Sequence, residues 1–224
     1  MKNEVILITG QRGQGKTTYI KDQISLFDRV IIFDLLGEFT HFDTAYNLRE
    51  FFEILSKIKD ENFFTLNFYN PKNSEEDFHV VCEAVNRLKD IMFVVDEIDY
   101  FCSTHSIPKE FDEIVKRGRH QALQLILATR RPHEIPPIIR SQVSQLITFR
   151  HIEPRDLQYL REIIDIPEEE FSKLHKFHYV RWDVEHGLTK GAVKKSRAQG
   201  GPLEISENPE PGVEKPGGVQ DVVV

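Results

Sequence analysis

Cysteine is scarce in this chain of 224 residues: two are present, Cys82 and Cys102. Their spacing fits no metal site, and they read as reduced, intracellular thiols rather than as a disulfide framework. No apolar run approaches the length of a membrane span, and the charged start MKNE has no signal-peptide character. An excess of positive charge is also missing. The formal net charge is −7, which argues against a surface that binds every polyanion. Contact with nucleic acid would need a local basic surface, or an assembly that concentrates one. Aromatic residues stop at Trp182, and residues 189–224 hold six of the twelve glycines and four of the eleven prolines. Such a segment cannot bury enough apolar surface to offset its chain entropy. We therefore expect a disordered tail over 189–224 behind one domain over 1–188.

What is there begins with apolar, β-rich runs that alternate with helical stretches. The runs predict strands over 5–9, 30–34, 63–68, 91–96, 123–129 and 145–150, with a further short one over 178–183. Helices are expected over 16–27, 48–59, 75–89, 110–117 and 154–163. Alternation of this kind implies an α/β fold with a mainly parallel central sheet and helices on both faces. Runs such as IMFVV and LQLILA are apolar nearly throughout, as strands covered on both faces should be.

The segment GQRGQGKT, Gly10 to Thr17, follows the apolar run Val5–Ile8 and has the spacing G-x-x-x-x-G-K-[ST]. Glycine permits positive φ and a close backbone approach to a ligand. A helix starting near Lys16 would aim its free N–H groups at phosphates. The expected nucleotide-binding residues are Gly10, Gln11, Arg12, Gly13, Gln14, Gly15, Lys16, Thr17 and Thr18. Lys16 would reach the β- and γ-phosphates of ATP, and the Thr17 hydroxyl would ligate Mg²⁺.

A second acidic element stands at the end of IMFVVDE, Ile91 to Glu97. In a P-loop fold this strand is expected beside the P-loop strand. Asp96 would hold Mg²⁺ through water, and Glu97 would orient and deprotonate an attacking water. The alternative is a helix N-cap with an acidic first turn. Asp99 reads as structural support. Weaker signals point elsewhere. His175 and His178 lack a third ligand nearby in sequence, and Cys102 with His105 is a loop coincidence. Asp34-Leu-Leu-Gly37 has the D-x-x-G form of GTPase switches, but the chain has no [NT]-K-x-D guanine reader.

KRGRHQALQLILATRRP, Lys116 to Pro132, carries a more specific pattern. It resembles the stretch of FtsK–HerA superfamily P-loop motors that runs from an arginine-bearing helix end, through a strand, to a sensor turn. Gly118-Arg119 stands at the family's G-R position and Thr129-Arg130-Arg131-Pro132 at its sensor turn. IIFDLLGEF upstream resembles the HerA-type second strand, with Asp34, Gly37 and Glu38 at the matching places. IPPIIRSQVSQLITFR looks like the family's short helix and sixth strand. The likeness covers about residues 1–185, and the economy of the chain is most like the small ATPases that package DNA into membrane-containing icosahedral viruses. One departure is Arg130, where the family usually has glutamine.

The resemblance implies a P-loop NTPase of the RecA/FtsK–HerA type, with ATP and Mg²⁺ as cofactors and Glu97, Arg119 and Arg130 as catalytic residues. Arg119 would act as an arginine finger across a subunit interface. Arg130 would sense the γ-phosphate or stabilise its charge, since guanidinium hydrogen-bonds phosphate in a fork. The implied partners are double-stranded DNA, further copies of the chain in a hexameric or pentameric ring, and capsid or portal-vertex proteins. The implied location is the host cytoplasm or the virion. A cellular or plasmid DNA-transfer motor is the alternative within the superfamily, and a P-loop small-molecule kinase the alternative outside it.

Overall fold

The computed structural model describes residues 4–72, 75–164 and 167–193. In chain order the elements are β1 (Val5–Thr9), α1 (Lys16–Ile24), β2 (Arg29–Phe33), β3 (Asp43–Ala45), α2 (Leu48–Ile58), β4 (Phe64–Phe68), α3 (Glu75–Val85), β5 (Met92–Val95), α4 (Lys109–Arg117), β6 (Gln124–Thr129), α5 (Pro137–Arg140), β7 (Gln145–Thr148), α6 (Pro154–Ile164), α7 (Glu168–Ser172), β8 (His178–Asp183) and β9 (Gly187–Ala192). Single 3-10 turns cover Ile98–Tyr100, Gly118–Gln121 and Pro132–Glu134.

The strands form one sheet in the order β3-β4-β2-β5-β6-β1-β7-β8-β9. β3 through β7 in that order are parallel, and β8 and β9 add an antiparallel edge. Strand side chains alternate between faces. Val5 and Leu7 of β1 therefore join Phe33, Phe78, Phe111 and Leu160 in one core. Ile6 and Ile8 join Tyr19, Ile20 and Ile24 of α1 in a second core on the opposite face. α1 thus covers one face, while α2, α3, α4 and α6 cover the other, which is the doubly covered sheet read from the sequence. Local signals agree with tertiary ones at α2. Asn47 accepts a hydrogen bond from the Glu50 N–H at 3.0 Å, and Glu50 accepts one from the Tyr46 N–H at 2.8 Å, a reciprocal cap.

Two placements differ from the sequence reading. The strand ending in Asp96 was expected beside the P-loop strand, but β6 lies between β5 and β1. Its apolar run satisfies both neighbours: Leu125 to Leu127 pair with Val5 to Leu7 on one side and Phe93 to Val95 on the other. The boundary at 188 falls inside β9, which pairs with β8 from Gly187↔Asp183 to Ala192↔His178. The backbone ladder extends the sheet without an apolar face to announce it, and Val193 beyond it is buried. Residues 194–224, the rest of the expected tail, lie outside the described residues. Among the described residues no helix is long and apolar enough to cross a membrane. Cys82 and Cys102 are free and buried, and burial pushes the Cys102 thiol up to about 12. A buried thiol of this kind disfavours the thiolate that a nucleophile beside His105 would need.

Candidate nucleotide site

β1 ends where the chain must turn sharply, and the turn is tied to both neighbouring strands. The Gly10 N–H donates to Thr129 O at 3.3 Å and the Gln11 N–H to Arg150 O at 3.1 Å. Gly13 and Gly15 have φ of +73° and +121°, a backbone region that favours glycine. Beneath the loop lies an aromatic floor. Tyr19, Phe149 and Tyr179 meet with ring centroids 5.1–6.2 Å apart. A Cβ on Gly10 would stand 2.6 Å from the Phe149 Cβ. Gly10→Ala should therefore force the end of β7 aside and lower Tm by roughly 2–12 °C, the overpacking cost converted for a domain of this size. Scanning calorimetry checks this, and an unchanged Tm would show that Phe149 yields without cost.

α1 starts directly behind the loop. Its N-cap is Gly15, no side chain caps it, and its first turn holds no acid. Its N–H groups are therefore left for an anion. Lys16, 6% exposed, folds back so that Nζ donates to Gly10 O at 2.8 Å and stands 3.8 Å from Glu97 Oε1. Burial lowers its pKa, and Glu97 works against that shift. The Thr17 hydroxyl donates to Glu38 Oε2. Glu38 reaches this position because Asp34, at the end of β2, folds the following loop around its carboxylate. It accepts from the N–H groups of Leu36, Gly37, Glu38 and Phe39 at 2.8–3.2 Å.

Asp96 is 2% exposed, and its Oδ2 has no hydrogen-bond partner among the described residues. Burial raises its pKa to about 8, assisted by Glu97, Glu38 and Asp34 and opposed by Lys16. An orphaned carboxylate oxygen beside a hydroxyl and a second carboxylate is the hard-oxygen set that suits Mg²⁺. Thr17, Glu38 and Asp96 would hold the ion. Glu38 is the member that the sequence reading placed in a motif without giving it a role.

Glu97 has φ 51° and ψ 56°, a left-handed conformation uncommon for a non-glycine residue. It precedes the 3-10 turn at Ile98, but its side chain makes no cap hydrogen bond. Its Oε1 instead accepts from Arg130 Nε at 2.8 Å and faces Lys16. The capping alternative therefore does not describe the carboxylate. Burial raises the Glu97 pKa, with Lys16 and then Arg130 opposing it. Arg130 arrives from the end of β6, where the Thr129 hydroxyl donates to Asp99 Oδ1 at 2.9 Å and accepts from the Arg131 N–H at 2.9 Å. Asp99 thus braces the turn over 129–131, a structural part.

Arg12, Gly13, Gly15, Lys16, Thr17, Thr18, Glu38, Glu97 and Arg130 line one cleft of about 400 Å³. Arg119 is not brought there. It lies in the turn Gly118–Gln121 before β6, with the Leu123 N–H bonded to Gly118 O at 2.9 Å. That is the opposite end of β6 from the P-loop, roughly 20 Å away at the rise per residue of the strand. The Arg119 side chain is outside what the structure describes. His175 and His178 stand with ring centroids 5.7 Å apart, and no third ligand joins them among the described residues.

The AAA-domain family matches residues 1–134 of the chain. Among solved structures, the genome packaging NTPase B204 from Sulfolobus turreted icosahedral virus 2, in complex with ATP-γS, superposes with a TM-score of 0.68 at 22% identity. The alignment covers 86% of this chain and 98% of that one. B204 from Sulfolobus turreted icosahedral virus, a DNA-packaging ATPase, gives 0.68 at 20% identity over 85% and 98%. The pCW3 conjugation coupling protein TcpA, with ATP-γS, gives 0.55 at 14% identity, over 84% of this chain and 59% of its own. No curated protein matches the sequence. At these identities the likeness is one of fold, a mainly parallel sheet shared with these proteins.

Proposed function

The chain belongs to the AAA-domain family, and we propose that it hydrolyses ATP to ADP and phosphate to drive double-stranded DNA, packaging a viral genome into a capsid. The observation that carries the ATPase reading is the meeting of Lys16 and Thr17 of α1 with Glu97 and Arg130, from the ends of two other strands, at one cleft, with Asp96 buried behind Glu97. The fold likeness to B204, which extends over 98% of that chain, supports the packaging reading.

Each residue has a part in this scheme. Backbone N–H groups of the loop and of α1 bind the phosphates, and Lys16 exchanges Gly10 O for phosphate oxygens. Bound Mg²⁺, held by Thr17, Asp96 and Glu38, would neutralise charge on the β- and γ-phosphate oxygens. Glu97 accepts a proton from the attacking water as that oxygen bonds to the γ-phosphorus and the bond to the β–γ bridging oxygen breaks. Arg130, now bound to Glu97, is placed to exchange that carboxylate for a phosphate oxygen. Arg119, too far from its own P-loop, serves the neighbouring subunit in a hexameric or pentameric ring. Capsid or portal-vertex proteins are the partners of such a ring, in the host cytoplasm or at the virion.

Phosphate release measured with and without linear double-stranded DNA tests this reading. DNA should raise the rate several-fold, and a fixed motor should displace a strand-bound probe along the duplex. ATP turnover indifferent to DNA would remove the motor. Phosphate transferred to a small acceptor instead of water would favour the kinase. A DNA-transfer motor, as TcpA's fold suggests, would translocate equally well but bind no capsid.

A further inference from the structure

Phe177 is the one aromatic among the described residues that line the nucleotide cleft. It precedes β8 and has φ 69°, a left-handed conformation that a bulky side chain rarely adopts. Two backbone hydrogen bonds hold it there. Its N–H donates to Gln14 O of the P-loop at 3.1 Å, and its carbonyl accepts from the Val193 N–H, just beyond β9, at 2.8 Å. The ring lies against the loop itself, since a Cβ on Gly15 would stand 3.1 Å from the Phe177 Cδ1. The Lys176 ammonium stands 5.1 Å from the ring centroid, and Lys176 does not line the cleft. A conformation that is costly in isolation, pinned from two sides and half-buried at a ligand cleft, is one that a function retains.

We infer that Phe177 is the platform on which the nucleobase of the bound nucleotide stacks, and that the base is held by its face rather than read at its edge. The inference rests on the ATPase reading, which places the phosphates at Lys16 and Thr17. Every nucleobase has a π-face, so stacking accepts all of them, whereas discrimination needs paired donors and acceptors that the wrong base leaves unsatisfied. No Asn, Gln or Asp side chain lines the cleft among the described residues, and the cations that do, Arg12, Lys21 and Arg130, offer donors without acceptors and suit the phosphates. Its two glutamates are engaged, Glu38 with Thr17 and Glu97 with Lys16 and Arg130. The Thr18 hydroxyl can donate or accept and so suits either purine. The ligand class is therefore nucleoside triphosphates in general, GTP as well as ATP. β9 enters the site through Val193, which holds the Phe177 carbonyl.

Titration calorimetry of the full chain with Mg²⁺ and three probes tests this: ATP, GTP and inorganic tripolyphosphate, which has the phosphates and no base. Phe177→Gly removes the ring while glycine accepts the left-handed backbone at no steric cost. It should weaken ATP and GTP alike by roughly tenfold to a hundredfold and leave tripolyphosphate unchanged. Phe177→Tyr should bind all three as the wild type does. If Phe177→Gly has a lowered Tm, Phe177→Leu, which keeps apolar volume without a π-face, should show the same base-dependent loss. Equal loss of tripolyphosphate would overturn the platform and make Phe177 a prop for the loop. Unchanged ATP affinity in Phe177→Gly, or a wild-type preference for ATP over GTP beyond about a hundredfold, would overturn it as well. A wild type that bound neither ATP nor tripolyphosphate would overturn the ATPase reading itself.

Discussion

Mixing an Arg119→Ala variant with a Lys16→Ala variant should restore ATPase activity that neither has alone. Lys16→Ala removes the ammonium that the P-loop holds ready at Gly10 O, and with it productive ATP binding. Arg119→Ala removes a charge that, as a finger in trans, is worth about 10³–10⁵ in rate. In a mixed ring, an Arg119→Ala subunit still has a whole P-loop, and a Lys16→Ala neighbour still has a whole Arg119. About one interface in four in an equal mixture would combine the two intact parts. The sheet makes this test sharp. Arg119 stands at the end of the sheet where β6 begins and the P-loop at the end where β6 finishes, because Val5↔Leu125 and Thr9↔Thr129 are in register. Action in cis is out of reach, so the outcomes are rescue or a purely structural arginine. Arg130→Ala should resist rescue by Lys16→Ala, because Arg130 already touches Glu97 of its own subunit and a neighbour cannot supply it. Phosphate release from purified mixtures reads all three cases. Full Arg119→Ala activity without a partner would dismiss the finger.

Glu97→Gln should keep ATP bound and slow single-turnover hydrolysis by roughly 10² or more. The carboxylate sits between Lys16 at 3.8 Å and Arg130 at 2.8 Å. Glutamine retains the volume and an oxygen for Arg130, and it cannot take a proton from water. Backbone strain is also preserved, since the left-handed φ of 51° is imposed on either side chain. Equilibrium binding of a fluorescent ATP analogue, followed by quenched-flow hydrolysis, separates the two effects. Hydrolysis near the wild-type rate would move the base elsewhere.

The turn between β1 and α1 was legible because its signal is local: the glycines, the lysine and the threonine are contiguous. The placing of Asp96 and Glu97 at the end of a buried strand was legible because an apolar run closes on two acids. Where these strands lie in the sheet was not. The apolar run of β6 would serve equally well at several positions, and only pairing on both sides fixes it between β1 and β5. β3 is too short to show alternation, and β9 is mostly exposed with two glycines. Both are held by backbone ladders that leave little trace in side-chain pattern. Glu38 and Phe177 were illegible for a further reason. Each acquires its position through a tertiary event, the Asp34 clamp for one and the Val193 hydrogen bond for the other.

The order of the sheet also sets a timetable for synthesis. β1 leaves the ribosome first, yet both strands that pair with it, β6 and β7, come from residues 124–129 and 145–148. At ordinary elongation rates an apolar VILIT segment waits on the order of ten seconds with neither edge covered. β2, β4 and β5 can pair among themselves earlier. In the nascent chain β2, β4 and β5 are thus complete before β1 has either neighbour, and β8 and β9 follow after both. A chain halted before Gln145 would carry the whole phosphate-binding motif on a strand with one side unpaired, a substrate for chaperones sooner than for ATP.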